Sequence, residues 1–520
     1  MFSQWCSASL PFLFITSSYA DRITFRILSP MLPLLSTLIF LPLLGGLITF
    51  FSGVNARKTA LAVALVELAL SLWVLLAHFV PTAGMQLVED YWWVESLGIS
   101  YKIGLDGISM ALVLLTTVLV PLIILSAFGR DVKSPSLYFG LILLMQSALI
   151  GVFASLDGFL FYLFWELALI PIYLICLNWG GENRTRITLK FFIYTLFGSL
   201  LMLVAFIWMR AQTANQSFDI DQFYALKLSS DAQSWIFWAL FLAFAIKMPV
   251  FPFHSWQPDT YTDAPTQGTM LLSGIMLKMG IYGVIRWMLP VLPIGVDTWG
   301  LLAASLAVAG IVYASLIAWV QKDFKRLIAY SSIAHVGMIA AAVFTLSTQG
   351  LLGSVVQMLS HGVNVVGLFL VADILLHRTG TRDLGQLGGI RSVAPAFATT
   401  FIIILLGAVA LPLTNGFIGE FMLLSGIFRY NITLASLAGL SVIFGAVYML
   451  RAYRIIMLGE QQSSSATFAD LVWNEKAVLY TLVVLIFLFG VYPDPLIRLV
   501  GPSVEHLQEV ITNAGAATLR

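Results

Sequence analysis

The sequence predicts an all-α polytopic membrane protein of about 14 transmembrane helices, with two inverted five-helix repeats and broken helices 7 and 12. Three observations predict it. The chain is 59% hydrophobic and 10% charged, where a soluble domain carries about 25% charge. Fourteen segments reach the roughly 20 apolar residues that a bilayer crossing needs. Two of them are interrupted by proline beside an ionisable residue.

The spans lie near residues 32–51, 59–80, 107–128, 136–155, 159–178, 188–209, 233–251, 266–289, 298–319, 326–346, 350–376, 396–424, 433–457 and 477–496. The longest polar connections, 81–105, 210–231 and 458–476, leave no room for a soluble domain. Basic residues are unevenly shared. Odd-numbered loops hold 16, among them Arg57, Lys58, Arg130, Lys133, Lys190 and Arg326; even-numbered loops hold 5. The positive-inside rule therefore puts the odd loops inside and both termini outside. The seventh loop dissents: it carries Asp259 and Asp263 and no Lys or Arg. A loop folded back into the protein would escape the rule. Residues 1–30 fit poorly, since SLPFLFI is too short to span and no basic region precedes Ser18-Tyr19-Ala20. An upstream start codon, with the true start at Met31, is the expectation.

In the segment 233–251, Pro249 and Pro252 follow Lys247; in 396–424, Pro412 and Asn415-Gly416 precede Glu420. Proline removes a backbone donor and clashes with the preceding turn. Broken helices in corresponding positions of two halves point to a transporter with repeats. The two breaks are five spans apart, and an odd offset inverts the topology. This divides the chain into an N-terminal extension (1–30), helices 1–3 (31–135), a first repeat of helices 4–8 (136–290), a second of helices 9–13 (291–457), and helix 14 with a C-terminal tail (458–520).

Charge inside the spans is the functional signal. A charged side chain at mid-bilayer costs at least about 2.5–3.5 kcal/mol, so such residues face a wet interior and work. Glu166 and Lys247 can form a buried pair that holds or releases a proton as it closes or opens. Lys278 lies too near the centre of 266–289 to snorkel, and Glu420 sits on the second broken helix. His335 and His361 occupy the spans between them and titrate near physiological pH. His254 lies nearer the membrane edge as a possible relay or gate. Tyr330, Ser331, Ser332, Thr269 and Ser273 could hold water wires, although Ser and Thr are also common packing residues in membranes. Glu67 and Asp373 read as packing charges. Two cysteines cannot hold an iron–sulfur cluster. With no Gly-rich nucleotide motif and no metal-ligand spacing, no cofactor is expected in this chain. The balance of 27 basic and 26 acidic residues argues against nucleic acid.

LDGIS (105–109), FWEL (164–167), KMPVFPFHSWQPD (247–259), APTQGTMLLSGIMLKMGIYG (264–283), KRLIAYSSIAHVG (325–337) and GFIGEF (416–421) resemble the antiporter-like subunits of respiratory complex I, from roughly residue 95 to 455. The resemblance implies fourteen core helices, inverted repeats of five, and a part in proton pumping driven by quinone reduction in other chains. It matches Glu166, Lys247 and Lys278 to the family's ionisable residues on helices 5, 7 and 8. Glutamate rather than lysine on broken helix 12, at Glu420, points to the M type (chain 4). About 24 residues follow the last span, so the long lateral helix of the L type is not expected. The resemblance further implies NADH, FMN, Fe–S and quinone sites in partner subunits, L-type and N-type neighbours, and a bacterial inner membrane. A multisubunit Na+/H+ antiporter, an ion-pumping hydrogenase and a purely structural membrane subunit are the competing readings.

Overall fold

Apolar stretches become helices here because a bilayer offers no water to unpaired backbone groups, and a helix pairs them within one segment. The computed structural model describes residues 33–518, so the expectation for residues 1–30 lies outside them. The helices are α1 (Leu34–Phe50), α2 (Ala56–Trp73), α3 (Gly107–Ser126), α4 (Pro135–Ala154), α5 (Gly158–Trp179), α6 (Arg184–Gln212) and α7 (Ser230–Lys247). They continue as α8 (Thr266–Met288), α9 (Pro293–Val320), α10 (Phe324–Val343), α11 (Thr348–Thr379), α12 (Pro395–Ala408), α13 (Asn415–Tyr430), α14 (Ile432–Leu458), α15 (Trp473–Val491) and α16 (Asp494–Thr518).

Among the described residues, 11 helices are long and apolar enough to cross a membrane. The other three expected spans are α1, which is 17 residues long, and the two interrupted ones. α7 stops at Lys247 before Pro249, and the span 396–424 is split into α12 and α13 around Pro412. α8 is buried throughout, and α4, α10 and α11 nearly so, whereas α2, α6, α14 and α15 bury well under half of their residues. The helices that bear the ionisable residues of interest therefore include the innermost ones. α4 packs on α5 and α6 on α7; α9 packs on α10 and α11 on α13. The second set repeats the packing order of the first.

The dissenting seventh loop is folded back. It forms a short helix, Gln257–Asp263, with Gln257, Thr260 and Tyr261 buried. Asp259 bonds Lys190 at 3.1 Å and Arg326 at 3.2 Å. Cations of the fifth and ninth loops thus neutralise this loop, and it lies at the same end of the bundle as they do.

Two elements go beyond the expected bundle. Residues 81–105 hold an antiparallel hairpin, β1 (Gln86–Val94) and β2 (Ile99–Leu105), with Tyr91 opposite Tyr101. Gly98 closes its turn at φ +62, and a Cβ there would lie 2.0 Å from the Gln216 carbonyl oxygen. Lys102 of β2 bonds Asp219 at 2.6 Å and Asp221 at 2.9 Å. Burial disfavours its charge, but the two carboxylates outweigh that and raise its pKa. The C-terminal tail is α16, an amphipathic helix that buries Leu496, Leu499, Val500, Val504, Leu507 and Ile511.

α16 rests on the start of α3. The Gly107 N–H donates to Ser503 Oγ at 2.8 Å, and a Cβ on Gly107 would lie 2.0 Å from the Leu499 carbonyl oxygen. Backbone meets backbone there, so neither side can rotate away. Gly107→Ala is expected to cost about 1–3 kcal/mol and to loosen α16. Limited proteolysis of the assembled protein checks this: the variant should be cut within residues 494–518 faster than the wild type.

Candidate functional site

α8 departs from regular helix on both sides of Lys278, with π turns at Leu272–Met276 and Val284–Met288. Such turns are frequent at functional sites. The first one has a local consequence. The Leu277 N–H, which in an α-helix would serve the Ser273 carbonyl, bonds Leu272 O instead at 3.1 Å. The Ser273 carbonyl then accepts from Lys278 Nζ at 2.5 Å. The second contact of Nζ is His361 Nδ1 on α11, at 2.9 Å. Lys278 is fully buried, and no carboxylate of the described residues lies within ion-pair distance of it.

The contacts continue from there. His361 Nε2 lies 3.1 Å from Ser332 Oγ on α10. An ammonium is a donor only, so a charged Lys278 makes His361 accept at Nδ1 and carry its proton at Nε2. The His335 ring centre, one turn along α10, is 6.2 Å from that of His361. His335 Nδ1 meets Glu420 Oε1 at 2.8 Å, and Gln357 Nε2 donates to the same oxygen at 3.3 Å. Between the rings lies a cavity of about 20 Å³ lined by Ser331, Ser332, His335, Gln357, His361 and Asn364. That is room for about one water, with several polar partners. Lys278, His361, His335 and Glu420 thus form one line, and every gap in it is a hydrogen bond or the width of one water.

The break between α12 and α13 places Glu420. Asn415 and Ser360 of α11 exchange bonds, Ser360 Oγ to Asn415 O at 3.0 Å and Asn415 Nδ2 to Ser360 O at 3.5 Å. A Cβ on Gly416 would lie 2.2 Å from Gly407 O, and one on Gly419 2.3 Å from Gln357 Oε1. Gly416 thus lets α13 fold back on the end of α12, and Gly419 lets α13 approach α11 this closely.

The first break is built differently. Trp256 Nε1 donates to Ile246 O at 2.9 Å, and the Val250 N–H to Ala245 O at 2.9 Å, which satisfies carbonyls beside Pro249. Lys247 is buried, and its Nζ sits 5.2 Å from the Trp165 ring centre with no hydrogen-bond partner. Glu166, the next residue after Trp165, has Oε1 buried and unpartnered. The expected Glu166–Lys247 pair is not closed in this conformation: Lys247 Nζ and Glu166 Oε1 are each buried without a hydrogen-bond partner. Among the described residues no hydrogen bond joins Lys247 to Lys278.

His254 stands off the line. Its ring stacks on Phe251 at 5.6 Å and meets Tyr313 edge-on at 5.1 Å, and its Nδ1 has no partner. Of the hydroxyls, Ser332 joins the line and Ser331 receives Tyr448 OH at 3.0 Å. Thr269 and Ser273 bond helix carbonyls, and Tyr330 lies under Arg326. Asp373 is held by Arg130 at 3.0 Å and Thr266 at 2.6 Å, a structural role. Glu67 is fully buried in α2 with both oxygens unpartnered. Sequence reasoning missed Gln357 and Asn364, for which a lone amide in an apolar helix is the only signal. It also missed the ion pair between Asp106 and Arg286, at 2.5 Å and almost fully buried. Asp106 stood inside a quoted motif, but nothing in the sequence named its partner 180 residues away. Among the described residues no group of three or more His, Cys, Asp or Glu could hold a metal.

Comparison with known proteins gives consistent relatives. Residues 155–445 match the family model described as NADH:quinone oxidoreductase/Mrp antiporter, TM. The chain is 40% identical over 486 residues to NADH-quinone oxidoreductase subunit M of Rickettsia prowazekii (strain Madrid E), covering 92% of this chain and 99% of that protein. It is 42% identical over 495 residues to the subunit M of Rhodobacter capsulatus, covering 91% and 96%. Among solved structures, a chain of respiratory complex I from Thermus thermophilus with bound NADH superposes with a TM-score of 0.85 at 33% identity, over 92% of this chain and 99% of that one.

A buried cation without a carboxylate is a cost to folding, whatever work it does. Lys278→Met keeps the length and removes the charge. The thermal midpoint of the purified assembly is expected to stay level or rise, corresponding to about 0–1 kcal/mol of added stability. A large fall would make Lys278 a structural tie.

Proposed function

The chain belongs to the NADH-quinone oxidoreductase subunit M family, and on that premise we propose that Lys278, His361, His335 and Glu420 carry protons through the second half of the bundle, with Glu166 and Lys247 loading the line from the first. The protein is an antiporter-like, proton-pumping membrane subunit of NADH-quinone oxidoreductase, and so part of a translocase. The antiporter and hydrogenase alternatives are not favoured, since the M subunits match over nearly their whole length at about 40% identity.

The observation that carries the site assignment is the line from Lys278 to Glu420, hydrogen-bonded at both ends with a gap of one water between the His361 and His335 rings. Each member can bind or pass a proton: lysine when desolvated, histidine through either ring nitrogen, glutamate at the end. The unclosed Glu166–Lys247 pair supports a gate. With the pair open, Lys247 lacks its counter-charge and is disposed to give up its proton; with it closed, the charged form is favoured. His254 remains a candidate relay or gate at the first break, beside Lys247 in sequence but off the line. The two sets of five spans, α4–α8 and α9–α14 with α12 and α13 as one broken span, are read as inverted repeats on their shared packing order and matching breaks.

The complex has other membrane subunits, and we place the L-type and N-type antiporter-like subunits beside this one. NADH, FMN, Fe–S centres and quinone are assigned to partner subunits. The protein is a multi-span membrane protein of a bacterial respiratory complex. We place it in the inner membrane with both termini outside, on the excess of basic residues in odd loops.

Glu420 tests the assignment. Glu420→Gln keeps the shape and cannot release a proton; quinone-coupled proton uptake into sealed vesicles should fall by roughly tenfold or more. Glu420→Lys should retain part of the activity, because lysine can also bind and release a proton. Wild-type pumping in an assembled Glu420→Gln complex would remove the residue from the path.

A further inference from the structure

One large cavity plays no part in the line just described. It measures about 600 Å³ and is lined by residues of the hairpin, of the 220–225 segment and of α16, among them Lys102, Asp221, Tyr224, Ser503 and His506. Its floor is the Asp106–Arg286 ion pair. Arg286 is almost fully buried, yet its Nε has no partner. Asp106 is held from below, where its Oδ1 caps α3 by accepting from the Ser109 N–H at 2.9 Å.

Beneath that pair the polar groups do not stop. Ser109 Oγ lies 3.2 Å from Tyr282 OH, which donates to Phe153 O at 2.9 Å. Arg286 lies over the Tyr282 ring at 5.6 Å. Lys278, Tyr282 and Arg286 are spaced i, i+4, i+8 on α8 and so share one face of it. The stack from cavity to lysine is ion pair, two hydroxyls, lysine. In this conformation it is interrupted between Tyr282 and Lys278, because Nζ is turned to Ser273 O and His361. A lysine side chain is flexible, and its ammonium can choose between two sets of acceptors.

We propose that this cavity is a second aqueous access to Lys278, through Ser109 and Tyr282, with the Asp106–Arg286 ion pair as its gate. It opens at the end of the bundle that carries the hairpin and α16, outside in the orientation proposed above. Lys278 would then connect alternately to His361 and to Tyr282. The two hydroxyls suit a relay, since each both donates and accepts. The buried pair suits a gate, since parting it admits water to a column that it otherwise closes. The inference rests on the reading of Lys278 as a proton carrier.

The test uses the whole complex in sealed vesicles of each orientation. Cys6 and Cys176 are replaced, and Ser109→Cys supplies the single thiol of this chain just below the gate; labelling is read on this chain alone, after its separation from the other subunits. A membrane-impermeant methanethiosulfonate is added from either face, with and without NADH and quinone. The minor state of a two-state gate is about 0.1–10% populated, so reaction from the α16 face should be about tenfold faster or more during turnover than at rest. No reaction from that face, equal reaction from both, or no effect of turnover overturns the proposal. Tyr282→Phe, which keeps the ring and its packing, should lower pumping severalfold in assembled complex; wild-type pumping overturns the proposal also. Were that variant not to assemble, the labelling alone decides. Lys278→Ala separates the two levels. If it pumps normally, the carrier reading has failed; if it is dead while Tyr282→Phe pumps normally, only the second access has failed.

Discussion

The structure is organised around a buried lysine that has no counter-ion among the described residues. Lys278 lies in the helix that is buried throughout, and the groups nearest its ammonium are a carbonyl and an imidazole. Neither repays the loss of hydration as a carboxylate would. The π turn before it releases the Ser273 carbonyl, and α11 supplies His361. These are weak partners for a permanent charge and suitable ones for a charge that comes and goes. A tight Lys–Glu bridge at this place would hold its proton and stop the line.

The two broken spans serve this centre in unequal ways. At the second, Gly419 and the Asn415–Ser360 exchange bring α13 against α11, so that Glu420 reaches His335 and joins the line. At the first, Trp256 satisfies the freed backbone while the Glu166–Lys247 pair is not closed. One half is connected and the other is not. In a pump this asymmetry is useful, because a path continuous across both halves would short-circuit the gradient.

Much of this was legible in the sequence. Buried charges announce themselves, since a bilayer-spanning stretch has few reasons to carry lysine. The six ionisable residues from Glu166 to Glu420 stand out against their apolar neighbours, and prolines mark both breaks. The line itself was not legible. Nothing in the sequence says that His361 turns one nitrogen to Lys278 and the other to Ser332, or that Gln357 shares an oxygen of Glu420 with His335. Those contacts come from how α8, α10, α11 and α13 pack. The hairpin hid because its alternating, aromatic residues lie in a polar connection that reads as loop. α16 hid because Pro493 stands just before it and Pro502 within it, which read as breaks, and its apolar face is too narrow to read as a span. The dissent of the seventh loop resolves through Asp259, whose cations come from two other loops.

His361 is the single joint between the lysine and the rest of the line, so it gives the most direct measurement. Glutamine there can keep both hydrogen bonds but cannot take up a proton. The quantity to measure is protons translocated per quinone reduced in sealed vesicles, for assembled complex carrying His361→Gln. A ratio below the wild type is the predicted result. A wild-type ratio at wild-type turnover would contradict the line as a proton path.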